Sequence, residues 1–394
     1  MRKRSGLAVE WTRAMIIGAG RVVTPAEVLT PGHVTIAGDH LRLVGAGIPA
    51  DADRVYPEGT LVPGFVDLQV NGGAGVDLLD CDEAGVERVS KYLAATGTTA
   101  FLATLISAPL QQVRRAVETL RRARPQGAEI LGVHIEGPAI NPSRAGAHDR
   151  QSLRAPDDPE VQQMLADAFP NLRLVTLAPE LPGAGDLITW LTGRGVVVSL
   201  GHTDATYQQA GEAFRRGARM VTHLFNGMRG LHHREPGVVG AAFDDPQCIC
   251  GLIADGIHVH PAVVRLAFSA LGPERVALVT DATGGAGMSP GEYLLAGRPV
   301  RVAEGDAPRL PDGGLAGSVL RMDDALRNLI AWGIPLGAAV HSAAVAPARV
   351  LGLRDRGAVA EGMRADLTVL GEDGRAVLTV VAGRVVYRRE PEAE

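Results

Sequence analysis

The pattern of apolar and polar positions changes twice along the chain. The first sixty residues and the last thirty contain short apolar segments separated by glycine-containing turns, such as HVTIAGD near the start and LTVLGEDGRAVLTVVAGRVV near the end. Short apolar segments with DG and AG doublets between them are typical of β-hairpins. The pattern therefore predicts that both chain ends join into one small β-sandwich domain, made of residues 1–61 and 345–394.

The middle of the chain instead alternates strand-like segments with amphipathic helices such as PLQQVRRAVETLRRAR. The apolar segments end near Val70, Thr104, Glu136, Leu177, Gly201, Leu224, Ala254 and Asp281. Eight such units are typical of an α/β fold with a (β/α)8, TIM-like barrel. A doubly wound sheet is the alternative, but no GxGxxG motif follows the early strands. We therefore predict a barrel over residues 62–344.

Composition narrows the class of protein. The 394 residues include 39 Lys and Arg against 44 Asp and Glu, and the formal net charge is −5. This balance argues against a protein that binds nucleic-acid backbones, which usually carries a basic patch. No run of 18 uncharged apolar residues is present, so we expect no transmembrane helix. Glu10 and Arg13 interrupt the apolar segment that a signal peptide would need near the start of the chain. With only three cysteines and no CxxC, we expect a cytoplasmic protein without membrane or nucleic-acid partners.

Four residues that can bind a metal or carry a proton stand where predicted strands end. They are Glu136, His202, His223 and Asp281. Active sites of such barrels lie at the C-terminal ends of the strands, and one carboxylate with two imidazoles is typical of a catalytic zinc site. Asp281 is then available as a general base. Each residue alone is also explained as a polar strand end or turn cap, but the four together favour the metal site.

Two absences favour one divalent metal ion per subunit over a pair. Two-metal barrels often have HxH after the first strand, whereas this chain has Gln69 and Asn71, and amides are poorer ligands for such metals. A carbamylated lysine bridge is disfavoured because Lys3 and Lys91 are the only lysines and neither ends a core strand. Zinc is the default metal, and Fe²⁺, Co²⁺ or Mn²⁺ are alternatives. His134 is expected to support the site, with its side chain directed away from Glu136.

The chain contains, in this order, the motifs PGFVDLQVNGGAGVD, HIEGP, GHTDAT, THLFNGM, HHREPG, IADGIHVHP, VTDA and LAGS, and the resemblance that they carry runs from about residue 14 to residue 388. Together they resemble the N-acetylglucosamine-6-phosphate deacetylases of the amidohydrolase superfamily. The resemblance implies hydrolysis of the acetamide of N-acetyl-D-glucosamine 6-phosphate to D-glucosamine 6-phosphate and acetate, in amino-sugar catabolism or recycling. It also implies that Glu136, His202 and His223 hold the metal and that Asp281 is the catalytic acid and base.

The resemblance further implies a set of substrate contacts. They are Ala147, His148, Asn226, Gly227, Arg234, His258, Leu315, Ala316 and Gly317. His148 corresponds to a donor to the sugar or the carbonyl. Arg234, His258 and the backbone at Asn226 and Gly227 correspond to phosphate contacts, and the 315–317 backbone meets the sugar. One phosphate contact of the family crosses a dimer interface, so we expect a homodimer with Arg234 as the donor from the partner.

Three alternative functions follow from the same residues. N-acetylgalactosamine 6-phosphate differs from the expected substrate at one hydroxyl group, which the sequence does not distinguish. A deaminase or cyclic amidase of the same superfamily is disfavoured, because a nucleobase offers no partner to Arg234 and His258. A binding protein on a degenerate barrel is disfavoured, because it would not require Asp281 beside intact metal ligands.

Overall fold

The computed structural model describes residues 14–390. Segments 1–13 and 391–394, which fall within the predicted small β domain, lie outside the described residues.

The strands of the described chain are β1 Met15–Val23, β2 Val28–Leu29, β3 Gly32–Ala37, β4 His40–Ala46, β5 Arg54–Pro63, β6 Phe65–Val70, β7 Gly72–Gly73, β8 Val76–Asp77, β9 Thr98–Ile106, β10 Glu129–Glu136, β11 Leu172–Leu177, β12 Val197–Leu200, β13 Met220–Val221, β14 Ile249–Leu252, β15 Val276–Leu278, β16 Gly291–Leu295, β17 Arg298–Val302, β18 Leu367–Leu370, β19 Ala376–Val381 and β20 Arg384–Arg388.

The α-helices of the same residues are α1 Glu83–Ala94, α2 Leu110–Arg122, α3 Pro159–Asp167, α4 Ala184–Thr192, α5 Tyr207–Arg215, α6 Gly237–Asp244, α7 Pro261–Leu271, α8 Met322–Ala331, α9 Leu336–Val340 and α10 Ala346–Val350. A π-helical turn at His341–Val345 joins α9 to α10.

Eight parallel strands form the predicted barrel. Their order is β6, β9, β10, β11, β12, β13, β14 and β15, and one of the helices α1 to α8 follows each strand. The circle closes where the end of β6 meets the segment after β15. There Val70 pairs with Ala282, and the Asp281 amide donates to the Gln69 carbonyl at 2.9 Å. We call this contact the barrel seam.

The apolar pattern explains why these elements form a closed barrel. Every residue of β6 and β9 is buried, as expected for strands with the barrel interior on one face and helices on the other. In α2, the buried residues Leu110, Val113, Val117 and Leu120 recur at helical spacing and form one apolar face. Within residues 14–390, no helix combines the length and apolarity needed to cross a membrane.

Both chain ends contribute to a second sheet, as predicted. Its hydrogen-bonded order is β20, β19, β18, β5, β1, β3 and β4, with β2 paired to β1. The sheet folds over one apolar core, so that the Gly383 turn lies against the Gly38 carbonyl near the opposite end of the order. The fold class, a barrel with a small β-sandwich domain from both termini, is therefore confirmed. The boundaries at 61/62 and 344/345 remain predictions.

Candidate metal and catalytic site

The C-terminal ends of the barrel strands surround one cavity of about 240 Å³. Its lining residues are Asn71, Ile106, Glu136, Gly146, Ala147, His148, His202, His223, Asn226, Gly227, Ile253, His258, Asp281, Leu295, Leu315 and Gly317. Eleven of the thirteen predicted site residues are in this set. Ala316 is fully buried behind the wall, and Arg234 lies outside the cavity.

Glu136, His202 and His223 form a tight buried cluster at the floor of this cavity. The Glu136 Oε1 atom lies 3.0 Å from His202 Nε2 and 3.1 Å from His223 Nε2, and the two Nε2 atoms are 3.1 Å apart. The three residues lie at or just after the ends of β10, β12 and β13, and β11 separates the first of these strands from the other two. One carboxylate oxygen and two imidazole nitrogens thus converge on one point, a set that suits a divalent cation such as zinc.

Hydrogen bonds at the Nδ1 atoms of His202 and His223 orient the two imidazole rings. His202 Nδ1 lies 2.8 Å from the Arg144 carbonyl, and His223 Nδ1 lies 3.1 Å from the Asn226 carbonyl. Because a carbonyl only accepts, each Nδ1 carries a proton and each ring turns its Nε2 atom toward Glu136, where Nε2 can serve as the ligand atom when a cation is bound. A backbone carbonyl behind a metal-binding histidine is the usual orienting arrangement. The residues present therefore fit a metal ion.

The electrostatics of the cluster favour positive charge at the same point. Burial would raise the pKa of Glu136, but hydrogen bonds from His202 and His223 outweigh it and hold the pKa well below its ordinary value. Burial would lower the pKa of His223, but its hydrogen bond to Glu136 and the nearby carboxylate charges raise it. A buried carboxylate that stays ionised and attracts a proton onto a neighbouring ring is suited to a cation.

His148 lies beside the cluster and differs from the other two histidines in its hydrogen bonds. Its ring centre is 4.4 Å from that of His202, and its atoms lie close enough to Glu136 and His202 for a shared ion. However, His148 Nδ1 accepts the Ser107 backbone N–H at 3.2 Å. Burial and the neighbouring His202 hold its pKa well below the ordinary value, so the ring is neutral with its proton on Nε2. His148 is thus a donor, and His223 is the better third ligand.

Asp281 lines the same cavity, at the barrel seam. Asn71 Nδ2 donates to its Oδ1 at 2.7 Å. Burial and the nearby charge of Glu136 raise the pKa of Asp281 to about 6. A carboxylate poised close to neutrality is suited to accept a proton and to return it.

Three of the four predicted metal-binding and catalytic residues have a strained backbone conformation. His202, His223 and Asp281 have positive φ angles of 47°, 29° and 51°. Non-glycine residues rarely adopt this conformation, and it concentrates at functional sites. Each strand therefore turns sharply at its end and directs the side chain into the cavity.

His134 does not lie where alternation was expected to place it. It is two residues from Glu136 along β10, and residues of that spacing share one face of a strand. Its Nε2 lies 2.8 Å from Thr176 Oγ1 and its Nδ1 lies 3.2 Å from Thr104 Oγ1, on the two neighbouring barrel strands. The expectation that it points away from Glu136 was wrong, and it lies in the barrel interior beneath the cluster.

The predicted phosphate contacts are only partly brought together. His258 lines the cavity and pairs through Nδ1 with Asp255 Oδ2 at 2.6 Å. Asn226 and Gly227 also line it. Arg234 is exposed and contacts His233 Nε2 at 2.8 Å through Nη1. Within this one chain, Arg234 therefore does not complete the cavity.

Sequence reasoning missed the apolar wall and the hairpin that carries part of it. Ile106, Ile253 and Leu295 line the cavity beside the polar residues. Leu295 ends β16, and Arg298 at the start of β17 donates to the Ala147 carbonyl at 2.8 Å. The β16–β17 hairpin thus holds the loop that carries His148. An alternating segment after Asp281, GEYLLAGRPVRV with an AG turn, was the available signal for this hairpin.

Comparisons with known proteins agree with this geometry. A deacetylase of N-acetylglucosamine 6-phosphate from Vibrio furnissii is 38% identical over 86% of this chain and 85% of its own length. A deacetylase of N-acetylgalactosamine 6-phosphate from Escherichia coli O157:H7 is 40% identical over 84% and 90%. The crystal structure of the N-acetyl-D-glucosamine-6-phosphate deacetylase from Mycobacterium smegmatis is 39% identical, covers 95% of this chain and all of that chain, and has a TM-score of 0.90.

These similarities confirm the resemblance stated from the motifs. The model of the amidohydrolase family matches residues 60–386, which include the whole barrel and strands β18 and β19 of the second sheet. The chain belongs to the amidohydrolase family.

Proposed function

We propose that this enzyme hydrolyses the acetamide of N-acetyl-D-glucosamine 6-phosphate to D-glucosamine 6-phosphate and acetate. The observation that carries the proposal is the buried Glu136–His202–His223 cluster, which lines one cavity together with Asp281. The names of the similar deacetylases support the substrate class. The three free cysteines suit a reducing compartment, so the proposal includes a cytoplasmic location.

Glu136, His202 and His223 would hold one divalent ion, and zinc is the default for this ligand set. Such an ion, when bound, supplies a Lewis acid and lowers the pKa of water. The loop with Ala147 and His148 would bind the sugar, together with the backbone of Leu315, Ala316 and Gly317.

The chain's own residues supply the proton transfers. Asp281 takes one proton from water as the water oxygen joins the acetyl carbon, and His148 donates its Nε2–H to the carbonyl oxygen. Asp281 then gives its proton to the nitrogen as the C–N bond breaks, because an amide nitrogen leaves poorly without a proton. The products are acetate and the free amine, and Asp281 returns to its ionised form.

The substrate phosphate would meet His258 and the backbone of Asn226 and Gly227 in the cavity. We propose that Arg234 completes the set from the second subunit of a homodimer. Its exposure in the single chain supports a role at another surface, and a guanidinium group can pair with two phosphate oxygens at once.

Replacing Arg234 with alanine is expected to raise KM about tenfold or more with a smaller change in kcat, because the lost contact binds a part of the substrate that does not react. Steady-state kinetics with the 6-phosphate substrate measure this. The same variant should show little change in KM for the substrate without the phosphate. An unchanged KM for the phosphorylated substrate would contradict the phosphate role.

Subunit mixing tests whether Arg234 acts across the interface. Neither Arg234→Ala nor Asp281→Asn chains should be efficient alone. In a hybrid dimer, the Arg234→Ala subunit keeps Asp281 and receives Arg234 from its partner, so one site of normal KM is restored. Mixing without recovery would show that Arg234 acts within its own subunit.

The decisive assay measures acetate release from the two epimers, N-acetyl-D-glucosamine and N-acetyl-D-galactosamine, each with and without the 6-phosphate. We expect the 6-phosphate of the gluco epimer to have the highest kcat/KM. The galacto epimer is the second candidate, favoured by the 40% identical relative, and a higher kcat/KM for it would replace the first. Absence of acetate release from all four compounds would favour a deaminase or cyclic amidase.

A further inference from the structure

Asn71 has a buried acceptor atom that no group of the described chain satisfies. The residue follows β6 and is 3% exposed, and it lines the cavity. Its Nδ2 donates to Asp281 Oδ1 at 2.7 Å, whereas its Oδ1 has no hydrogen-bond partner within residues 14–390. Buried polar atoms are normally paired, because an unpaired one loses its hydrogen bonds to water. An unpaired atom in the wall of a cavity points to a ligand.

The orientation of this amide follows from its neighbour. An ionised carboxylate only accepts hydrogen bonds, so Asp281 requires the NH2 side of Asn71. The backbone holds the residue on both sides, since its N–H donates to the Ala282 carbonyl at 2.8 Å and its carbonyl accepts from the Leu78 N–H at 2.9 Å. The planar amide group therefore keeps its acceptor oxygen next to the carboxylate of Asp281.

We infer that Asn71 Oδ1 accepts the N–H of the scissile acetamide while Asn71 Nδ2 orients Asp281. The inference rests on the proposed function, in which Asp281 protonates the leaving nitrogen. That nitrogen must come within hydrogen-bond reach of Asp281, and the N–H that it carries needs an acceptor there. Glu136 accepts from two histidines, and Asp281 accepts the proton of water, whereas Asn71 Oδ1 has no other partner among the residues that the structure describes.

This contact gives Asn71 two separable effects on the reaction. Through Nδ2 it positions the carboxylate, which affects any leaving group that needs a proton. Through Oδ1 it binds the amide hydrogen, which affects only substrates with an N–H at the scissile bond. An oxygen ester has no such hydrogen, so Asn71 makes the site selective for amides over esters.

The experiment compares two substrates in the wild type and in Asn71→Ala. One is N-acetyl-D-glucosamine 6-phosphate, and the other is 2-O-acetyl-D-glucose 6-phosphate, in which oxygen replaces the N–H. Initial rates of acetate release give kcat/KM for each. Loss of the Asp281 contact lowers both values, and loss of the N–H contact lowers only the amide value. We expect the amide value to fall about tenfold more than the ester value, the size of one hydrogen bond. Equal falls would overturn the inference.

Controls separate this result from damage to the fold or the metal site. Asn71→Leu, of similar volume and without polar atoms, repeats the comparison if the alanine variant does not accumulate. Asn328→Ala loses a hydrogen bond to the Ala254 carbonyl, 2.8 Å in the wild type, and should leave the amide-to-ester ratio unchanged. Metal content should equal that of the wild type. A wild type that hydrolyses neither compound would reject the proposed function, whereas equal losses reject only the role of Asn71.

Discussion

Replacing Asp281 with asparagine is expected to lower kcat between about 10²- and 10⁴-fold, the usual range for a general acid and base. An amide of the same shape keeps the volume but can neither take a proton from water nor return one to the amine. The Glu136–His202–His223 cluster lies on other strands, so metal content should stay at about one ion per chain. Steady-state kinetics with metal analysis on the same sample measure both.

Asp149 offers a matched control for this substitution. It lies on the loop that also carries His148, and its side chain caps a turn by accepting the Gln151 N–H at 3.1 Å. Asp149→Asn should therefore keep turnover within a few-fold of the wild type. Near-normal turnover of Asp281→Asn would remove Asp281 from the chemistry, whereas loss of metal would assign it to the metal site.

Replacing Glu136 with glutamine is expected to abolish both metal binding and activity. The change removes the negative charge toward which His202 and His223 converge, and it leaves two imidazoles with a weakly binding amide. Since residues behind metal ligands already contribute 10- to 100-fold to affinity, we expect a loss of more than about 100-fold from a ligand itself. Metal analysis after dialysis against a chelator measures the loss.

Glu129 is the matched control, because it is the first residue of the same strand, β10, and Glu136 is the last. Glu129 pairs with Arg364 at 2.7 Å and with Arg356 at 3.1 Å, at the opposite end of the barrel. Glu129→Gln should lower thermal stability and retain the metal. Equal metal content in the two variants would place the cation elsewhere.

The sequence was sufficient to predict where the barrel strands end and which residues stand there. Strands buried on both faces are mainly apolar segments, so their ends are visible where the apolar segment stops, as near Glu136 and His202. The barrel then brings these ends together, because parallel strands present their C-terminal ends at one face. His148 required the resemblance, since it lies on a loop.

The contacts that depend on register between strands were not predictable in this way. Asn71 was judged only as a poor metal ligand, because its neighbour Asp281 is about 210 residues away and meets it only at the barrel seam. The apolar residues Ile106, Ile253 and Leu295 resemble any core residue in sequence. The expectation for His134 was wrong because residues two apart on a strand lie on the same face, and its contacts with two neighbouring strands show this position.

The second sheet can be completed only late in synthesis of the chain. β5 pairs with β18 through contacts such as Leu61 with Val369, about 300 residues later. At about 5–20 residues per second, the ribosome needs about 15–60 s to add the segment between them. During this time β5 has an unpaired edge, which is a site for aggregation. The small domain is completed only on a chain whose barrel has been fully made, so truncated products keep an exposed strand that chaperones and proteases can recognise.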